Sequence, residues 1–302
     1  MTTPEDPLSQ VLSLAQAHSA VSTGLEARGH WAIRVSPTQL LKCNAIRAGQ
    51  CWLDVTGTRT LLETGDCFLV APDHAFVLTT DPTLAPVAAE DVFAGSASAP
   101  YAQLDGGDGA GLRCIGGRME FPGAAELLIS ALPPVAVLRA GTPAADRIRW
   151  LLDRLEDEST QAGPGSAAMS SALMQLVFIE LLRGVPEVSA NGWLAAVADP
   201  KLGLALQEIH RDPGRAWRLH ELAKIALMSR SRFAKRFHDV VGRSAMDYLL
   251  HWRMTLAKRQ LARPGVSVAS IAEMLGYSSE SAFGAAYRRA TGKTPRGHRL
   301  SK

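Results

Sequence analysis

Cysteine, clustered histidine and long apolar runs are all scarce in this 302-residue chain, and each scarcity argues against something. There are four cysteines, Cys43, Cys51, Cys67 and Cys114, and no two stand at C-x-x-C spacing. No histidine cluster accompanies them, so the pattern argues against a structural zinc site. The sequence holds no His-x-His, and residues 1–192 carry only His18, His30 and His74. A metal-dependent barrel enzyme needs several converging ligands, so we expect no metal, no cofactor and no catalytic residue. The stretch Leu127–Leu138 is interrupted by Ser130, Pro133 and Pro134, and no run of 18 apolar residues occurs. No membrane segment is expected, nor a signal peptide behind the acidic start Met-Thr-Thr-Pro-Glu-Asp. The expectation is a reduced, cytoplasmic protein.

Apolar residues make up 47% of the chain, enough for packed cores, and the length suggests two domains. The net charge of +3 conceals a division: residues 193–302 hold 20 Lys/Arg against 8 Asp/Glu, leaving the first 192 residues at −9. A basic half predicts a polyanionic partner, most simply nucleic acid.

The basic half contains one pattern twice. Leu219, Leu222, Ala223 and Ala226 recur at helical spacing, and Met228-Ser229 interrupts the run. Ser229 is a good helix cap, and a second helix follows with Phe233 and Phe237 on one face. Two short helices, a tight turn and a basic second helix make a helix-turn-helix, whose second helix enters the DNA major groove. Ser279, Phe283, Tyr287 and Gly292 repeat Ser229, Phe233, Phe237 and Gly242 at an offset of 50. Upstream, Ile271-Ala272 repeats Leu222-Ala223 at 49, so the second turn is one residue longer.

From about Trp193 onward the sequence resembles transcription regulators of the AraC type. Ser229-Arg230-Ser231-Arg232-Phe233, then Gly276-Tyr277-Ser278-Ser279-Glu280-Ser281-Ala282-Phe283 and Gly292-Lys293-Thr294-Pro295, carry the resemblance. It implies two motifs joined by one long helix, here about Ala245 to Leu261, stopped by Arg263-Pro264-Gly265. It also implies that Ser231, Ala234 and Lys235 of the first motif reach base edges, and Ser281, Gly284 and Ala285 of the second. Arg230, Arg232 and Arg236, with Glu280, Arg288 and Arg289 of the second motif, complete the expected DNA surface; the arginines suit phosphates. Two departures stand out. Leu227 occupies a turn position where relatives place Gly, and Gly284-Ala285 stands where they often have Ser-Arg.

The first half reads as closely spaced strands. Trp31–Val35, Leu40–Ile46, Gln50–Val55, Arg59–Leu62, Cys67–Ala71, Ala75–Thr79 and Leu112–Phe121 are separated by turn signals such as Thr56-Gly57 and Thr64-Gly65-Asp66. Gly95–Gly111 reads as a loop and residues 8–21 as a short helix. Gly65-Asp66-Cys67-Phe68 through His74 resembles a conserved stretch of the cupin fold. Gly49-Gln50-Cys51-Trp52-Leu53, Ala125-Glu126-Leu127-Leu128 and Leu132-Pro133-Pro134 resemble strings of one AraC subgroup with a cupin-type sensor. Amphipathic helices over Asp146–Glu158 and Ser166–Arg183 follow.

The expected architecture is α+β. A cupin-like barrel with trailing helices spans residues 8–185 and serves sensing and dimerisation. Residues 186–192 link it to an all-α double helix-turn-helix domain over 193–302. The expected function is promoter-specific DNA binding controlled by a small molecule, with RNA polymerase as a further partner and the homodimer as the assembly. Cys43, Cys51, Trp52, Cys67, Phe68, His74 and Cys114 are the candidate effector or redox residues. A cysteine-based redox regulator of the same fold is one alternative, and a cupin enzyme fused to a DNA-binding module is another.

Overall fold

A computed structural model describes residues 6–96, 100–121, 126–129, 132–161, 163–188 and 191–300. The chain forms two compact units, one of residues 18–121 and 132–189, the other of residues 1–17, 122–131 and 190–302.

The first unit is a strand-built barrel. Its strands are β1 (His18–Gly29), β2 (Ala32–Val35), β3 (Leu41–Ala48), β4 (Gln50–Val55), β5 (Thr58–Glu63), β6 (Cys67–Val70), β7 (Phe76–Thr79), β8 (Val87–Ala88), β9 (Tyr101–Gly106), β10 (Gly111–Glu120) and β11 (Val135–Leu138). One sheet runs β11-β6-β3-β10-β1-β9, the other β5-β4-β7-β2-β8. Leu25, Ile33, Ile46, Leu53, Phe68 and Leu78 are among the buried residues that pack together as its core. Alternation dictates this: along β4, Cys51, Leu53 and Val55 are buried while Gln50 and the half-buried Trp52 and Asp54 face away.

The turn before β6 is fixed by one carboxylate. Asp66 is buried, and it accepts from the backbone N–H of Glu63 (3.1 Å) and Ala140 (2.9 Å) and from Arg139 Nη1 (2.7 Å). Three donors offset the desolvation of a buried charge. They also tie the β5–β6 turn to the segment after β11.

Helix α1 (Pro7–Ala15) precedes the barrel strands, and α2 (Ala89–Phe93) and α3 (Glu126–Ile129) interrupt them. Helices α4 (Pro143–Thr160) and α5 (Ser166–Val188) follow. They are antiparallel, held by Arg147–Glu180 (2.7 Å). Arg47 of β3 bridges to Asp153 and to Glu156 (2.9 Å) of α4. Residues Ser166–Val185 of α5 are long and apolar enough to cross a membrane; this helix packs along α4 and β1.

Four expectations change. Residues 18–21 are strand, because helix α1 ends at Gln16 in the left-handed region. β1 is rich in Ser, Thr and Gly, so its identity comes from pairing: β10 antiparallel on one side, β9 parallel on the other. β9 lies inside the expected loop Gly95–Gly111 for the same reason; residues 97–99 of that loop are outside the described residues. β11 was not among the expected strands and pairs antiparallel with β6. Finally, α5 runs into the expected linker. Gly184 reads as a helix stop, but a Cβ there would lie 2.2 Å from Leu138, so the glycine permits close packing on β11. Residues 189 and 190 of that linker, and Ala125 of the subgroup string, lie outside the described residues.

The second unit is helical: α6 (Trp193–Ala198), α7 (Leu202–Arg211), α8 (Leu219–Ile225), α9 (Arg230–Val241), α10 (Ala245–Leu261), α11 (Val268–Met274), α12 (Glu280–Thr291) and α13 (Pro295–Leu300). Helix α10 coincides with the expected linking helix. Helices α1 and α3 belong to this unit, with α1 burying Leu8, Val11 and Leu14 against α6 and α7.

A buried aromatic cluster joins α6, α7 and α10. Trp193 Nε1 donates to the Tyr248 hydroxyl at 2.7 Å. That hydroxyl lies 2.6 Å from His210 Nε2, and the His210 ring stacks on Trp252 at 3.9 Å. The other ring nitrogen, His210 Nδ1, is buried without a hydrogen-bond partner. Burial pushes the His210 pKa down to about 3 from an ordinary 6.5. The unfolded chain therefore binds the proton that the folded one refuses. Stability should be level above pH 6.5 and fall below it by about 1.4 kcal/mol per pH unit toward pH 3. Urea melts of the wild type and His210→Gln between pH 5 and 7.5 measure this. A wild-type slope below pH 6.5 no steeper than the variant's would contradict it.

Candidate nucleic-acid interface

The two helix-turn-helix units are α8–α9 and α11–α12. Each second helix begins at a serine: the Ser229 Oγ accepts from Arg232 N at 3.4 Å, and the Ser279 Oγ from Ala282 N at 3.1 Å. Each ends at a left-handed glycine, Gly242 or Gly292. Each turns its aromatic face inward, Phe233 and Phe237 in α9, Phe283 and Tyr287 in α12. The opposite faces are exposed.

The turns match bond for bond. Leu227 N donates to Lys224 O (3.0 Å) and Met228 N to Ala223 O (2.9 Å). In the second motif Gly276 N donates to Glu273 O (3.0 Å) and Tyr277 N to Ala272 O (2.9 Å). Leu227 keeps the left-handed geometry, φ +52°, that Gly276 adopts at +76°. The turn is therefore the usual one, with a leucine in a glycine conformation. A non-glycine residue survives there because its side chain points to solvent, 76% exposed. Gly276 has a second constraint: a Cβ would sit 1.8 Å from the Gly214 carbonyl oxygen.

On α9, Arg230, Ser231, Arg232, Lys235 and Arg236 are exposed and Ala234 is half-buried. Lys235 Nζ pairs with Asp239 at 2.6 Å, an exposed i,i+4 pair that a phosphate or base can displace at little cost. Arg236 is engaged differently. It bridges to Asp199, whose carboxyl pKa is lowered: burial opposes ionisation, and Arg236 and the N–H groups of Leu202 and Lys201 outweigh it. Arg236 thus ties α9 to the α6–α7 turn. Among the described residues Arg230, Arg232, Arg288 and Arg289 form no ion pair, which leaves their charges to the solvent face.

On α12, Glu280, Ser281, Ala285, Arg288 and Arg289 are exposed. Glu280 pairs with Arg296 of α13 at 3.3 Å. Gly284 and Ala285 leave a concavity of about 450 Å³, bordered by Ser281, Arg288 and Arg296. At the matching place α9 presents Lys235.

Comparison with known proteins agrees with this geometry. A cupin family matches residues 6–187, and a helix-turn-helix domain family matches residues 222–300. An AraC-like transcription regulator of Streptomyces lividans is 39% identical over 97% of this chain and 98% of its own. The chain belongs to the AraC-like transcription regulators. It is also 32% identical, over 59% of its length and 64% of the other, to the RCS-specific transcriptional activator RclR of Escherichia coli. Among solved structures, the DNA-binding domain of AdpA in complex with a target DNA is similar, at 27% identity and a TM-score of 0.32. That likeness covers 34% of this chain and 92% of that one.

As in an AraC-like regulator with a cupin domain, the remaining candidates lie in the barrel. Cys51, Phe68 and Cys114 are in its core, while Trp52 is half-buried. Cys43 and Cys67 face α4 and α5, where the Cys43 sulfur lies 3.8 Å from that of Met174. All four thiols are free and buried. Burial pushes Cys51 and Cys67 up to about 12, and raises Cys43 and Cys114 as well. A thiol so far from ionising is a poor nucleophile toward an oxidant. His74 Nδ1 lies 2.8 Å from its neighbour Pro72's carbonyl. Among the described residues no three His, Cys, Asp or Glu side chains gather as a metal site would need.

The barrel also holds a cavity of about 510 Å³, bordered by Ile33, Phe76, Leu78 and Phe93, with Lys42 and Arg118 on its rim strands. Neither charged residue was among the expected effector residues. Their signal in sequence is a cation flanked by apolar or small residues, Leu41-Lys42-Cys43 and Gly117-Arg118-Met119.

A left-handed leucine costs roughly 1–2 kcal/mol, and glycine's extra unfolded-state entropy takes back about 0.5–1. Leu227→Gly should stabilise by about 0.5–1 kcal/mol. Gly276→Ala should destabilise by about 3 kcal/mol, because backbone must move. Thermal or urea melts check both; destabilisation by Leu227→Gly would mean the leucine packs on something.

Proposed function

We propose that the barrel is the sensor and the paired helix-turn-helix unit the output of a cytoplasmic, promoter-specific regulator. The observation carrying this is the cavity between the sheets. Its volume falls in the ordinary ligand range of about 300–1,000 Å³, and apolar side chains share its wall with polar and charged ones. On this reading the protein is not an enzyme, and its input is binding rather than thiol chemistry.

The protein acts as a homodimer through α4 and α5. Trp150 is 66% exposed and Leu176 47%, and the Arg147–Glu180 bridge puts them at the same level of the antiparallel pair. Exposed large apolar side chains side by side mark an interaction surface. Sedimentation should give a dimer for the wild type and a monomer for Trp150→Glu. A monomeric wild type at tens of micromolar, an order at which weak dimers form, would end this reading.

The two recognition helices divide the work. Ser231 and Lys235 of α9 meet base edges, with Arg230 and Arg232 on phosphates. Helix α12 offers Ser281, and Gly284 and Ala285 supply no side-chain hydrogen bond; Ala285 at most touches a thymine methyl. Arg288 and Arg289 anchor that end through the backbone. Lys235→Ala should cost about 1–3 kcal/mol on the best site and less on a site altered at the contacted base. Arg289→Ala should weaken all sites alike and flatten the salt dependence. Fluorescence anisotropy against single-base variants of each half-site measures both. Equal cost for base changes under the two helices would refute the asymmetry.

A further inference from the structure

The cavity of the barrel carries an electrostatic feature that the proposed sensing function leaves unspecified. Lys42 of β3 and Arg118 of β10 are direct cross-strand partners in the register of the two antiparallel strands. Both border the cavity. Like charges directly opposite each other destabilise a sheet, so this pairing works against the fold. Arg118 has partial relief, with its guanidinium 3.8 Å from the Glu120 carboxylate. Lys42 has none: among the described residues it makes no ion pair or hydrogen bond. Burial and the neighbouring Arg118 together lower the Lys42 pKa. Glu90 of α2 is the acidic group that borders the cavity, and it is exposed and makes no ion pair with Lys42.

The rest of the lining continues the pattern. Two positions along β3 from Lys42, the Asn44 amide makes no hydrogen bond with the chain and packs against Gly116, where a Cβ would lie 2.3 Å from its oxygen. Beyond Asn44 and Gly116 the wall becomes apolar, through Leu25, Ile33 and Leu78 to Cys114. From Arg118 to Cys114 the strand advances about 13 Å, the length of an extended chain of roughly ten carbons.

We propose that the barrel binds an organic carboxylate with an apolar body, its carboxylate between Lys42 and Arg118 and its body along the wall toward Cys114. The bound anion relieves the cross-strand repulsion and gives the unpartnered ammonium its counter-charge. Asn44 supplies a neutral donor beside it. A neutral ligand of the same shape would leave the two cations facing each other. This inference rests on the sensor reading above and names the chemical class of its ligand.

The test uses the full-length protein and matched pairs of probes: octanoate and octanol, decanoate and decanol, 4-phenylbutyrate and 4-phenylbutanol. Binding is measured by calorimetry, and DNA affinity by anisotropy with and without probe. At least one carboxylate should bind 10-fold or more tighter than its alcohol. Lys42→Gln should lose that preference while keeping the alcohol's affinity. In the absence of any probe, Lys42→Gln should also melt higher than the wild type, a readout that ligand choice does not affect. If the alcohols bind as well as the carboxylates and the variant discriminates no less than the wild type, the barrel is a sensor of neutral ligands and the inference is overturned alone. If no probe of either kind binds and the variant melts lower, both the inference and the sensor reading fall.

Discussion

Two recognition helices can read one face of a duplex only if the distance between them is fixed, and one arginine holds the parts that fix it. Helix α10, 17 residues and therefore about 25 Å long, connects the two motifs. From its middle Arg253 reaches the α7–α8 connection, donating through Nε to the Pro213 carbonyl (2.6 Å) and through Nη2 to that of Arg215 (2.9 Å). Its guanidinium also lies 5.6 Å from the centre of the Tyr277 ring, in the turn of the second motif. Between those bonds lies Gly214, whose carbonyl is the atom that a side chain at Gly276 would strike. The connection belonging to the first motif is thus pressed into the turn of the second. The aromatic cluster of Trp193, His210, Tyr248 and Trp252 then seats the other half of α10.

This constraint explains the two glycine positions without appeal to a shared rule. Position 227 needs only a left-handed backbone, which leucine can adopt at a cost. Position 276 needs the conformation and also the empty space. Seen only as spacing, both positions look alike.

The helical unit was legible because its signals are local. Serine caps, aromatic pairs at i and i+4, closing glycines and the Arg263-Pro264-Gly265 stop all act within a turn or two, and α10 lies where they place it. The barrel was legible where apolar and β-branched residues stand between turn signals, alternating as in β4 or buried throughout as in β6. β1 and β9 owe their state to partners far away in sequence: Leu25 faces Cys114 across the sheet and Ala102 across the other edge. Residues such as Ser22 and Gly24 carry no strand signal of their own. The cavity was invisible for the same reason. Lys42 and Arg118 are 76 positions apart, and only the register of β3 and β10 makes them neighbours. The cysteines drew notice as reactive groups, and all four thiols are free and buried.

Helices α1 and α3 are counted with the DNA-binding unit although β1 to β10 lie between them in the chain. The polypeptide therefore passes from one unit to the other four times. The helical unit is discontinuous, and the barrel is two insertions within it. Helix α1 is synthesised some 180 residues before α6 and α7, and Leu8, Val11 and Leu14 wait for those helices before they are covered. In evolutionary terms the two units are poor candidates for simple shuffling. A recombination joint near residue 190 would pair a new sensor with a helical unit lacking its own α1 and α3. Exchange of inputs in such a lineage has to proceed by substitution within the barrel more than by replacement of it.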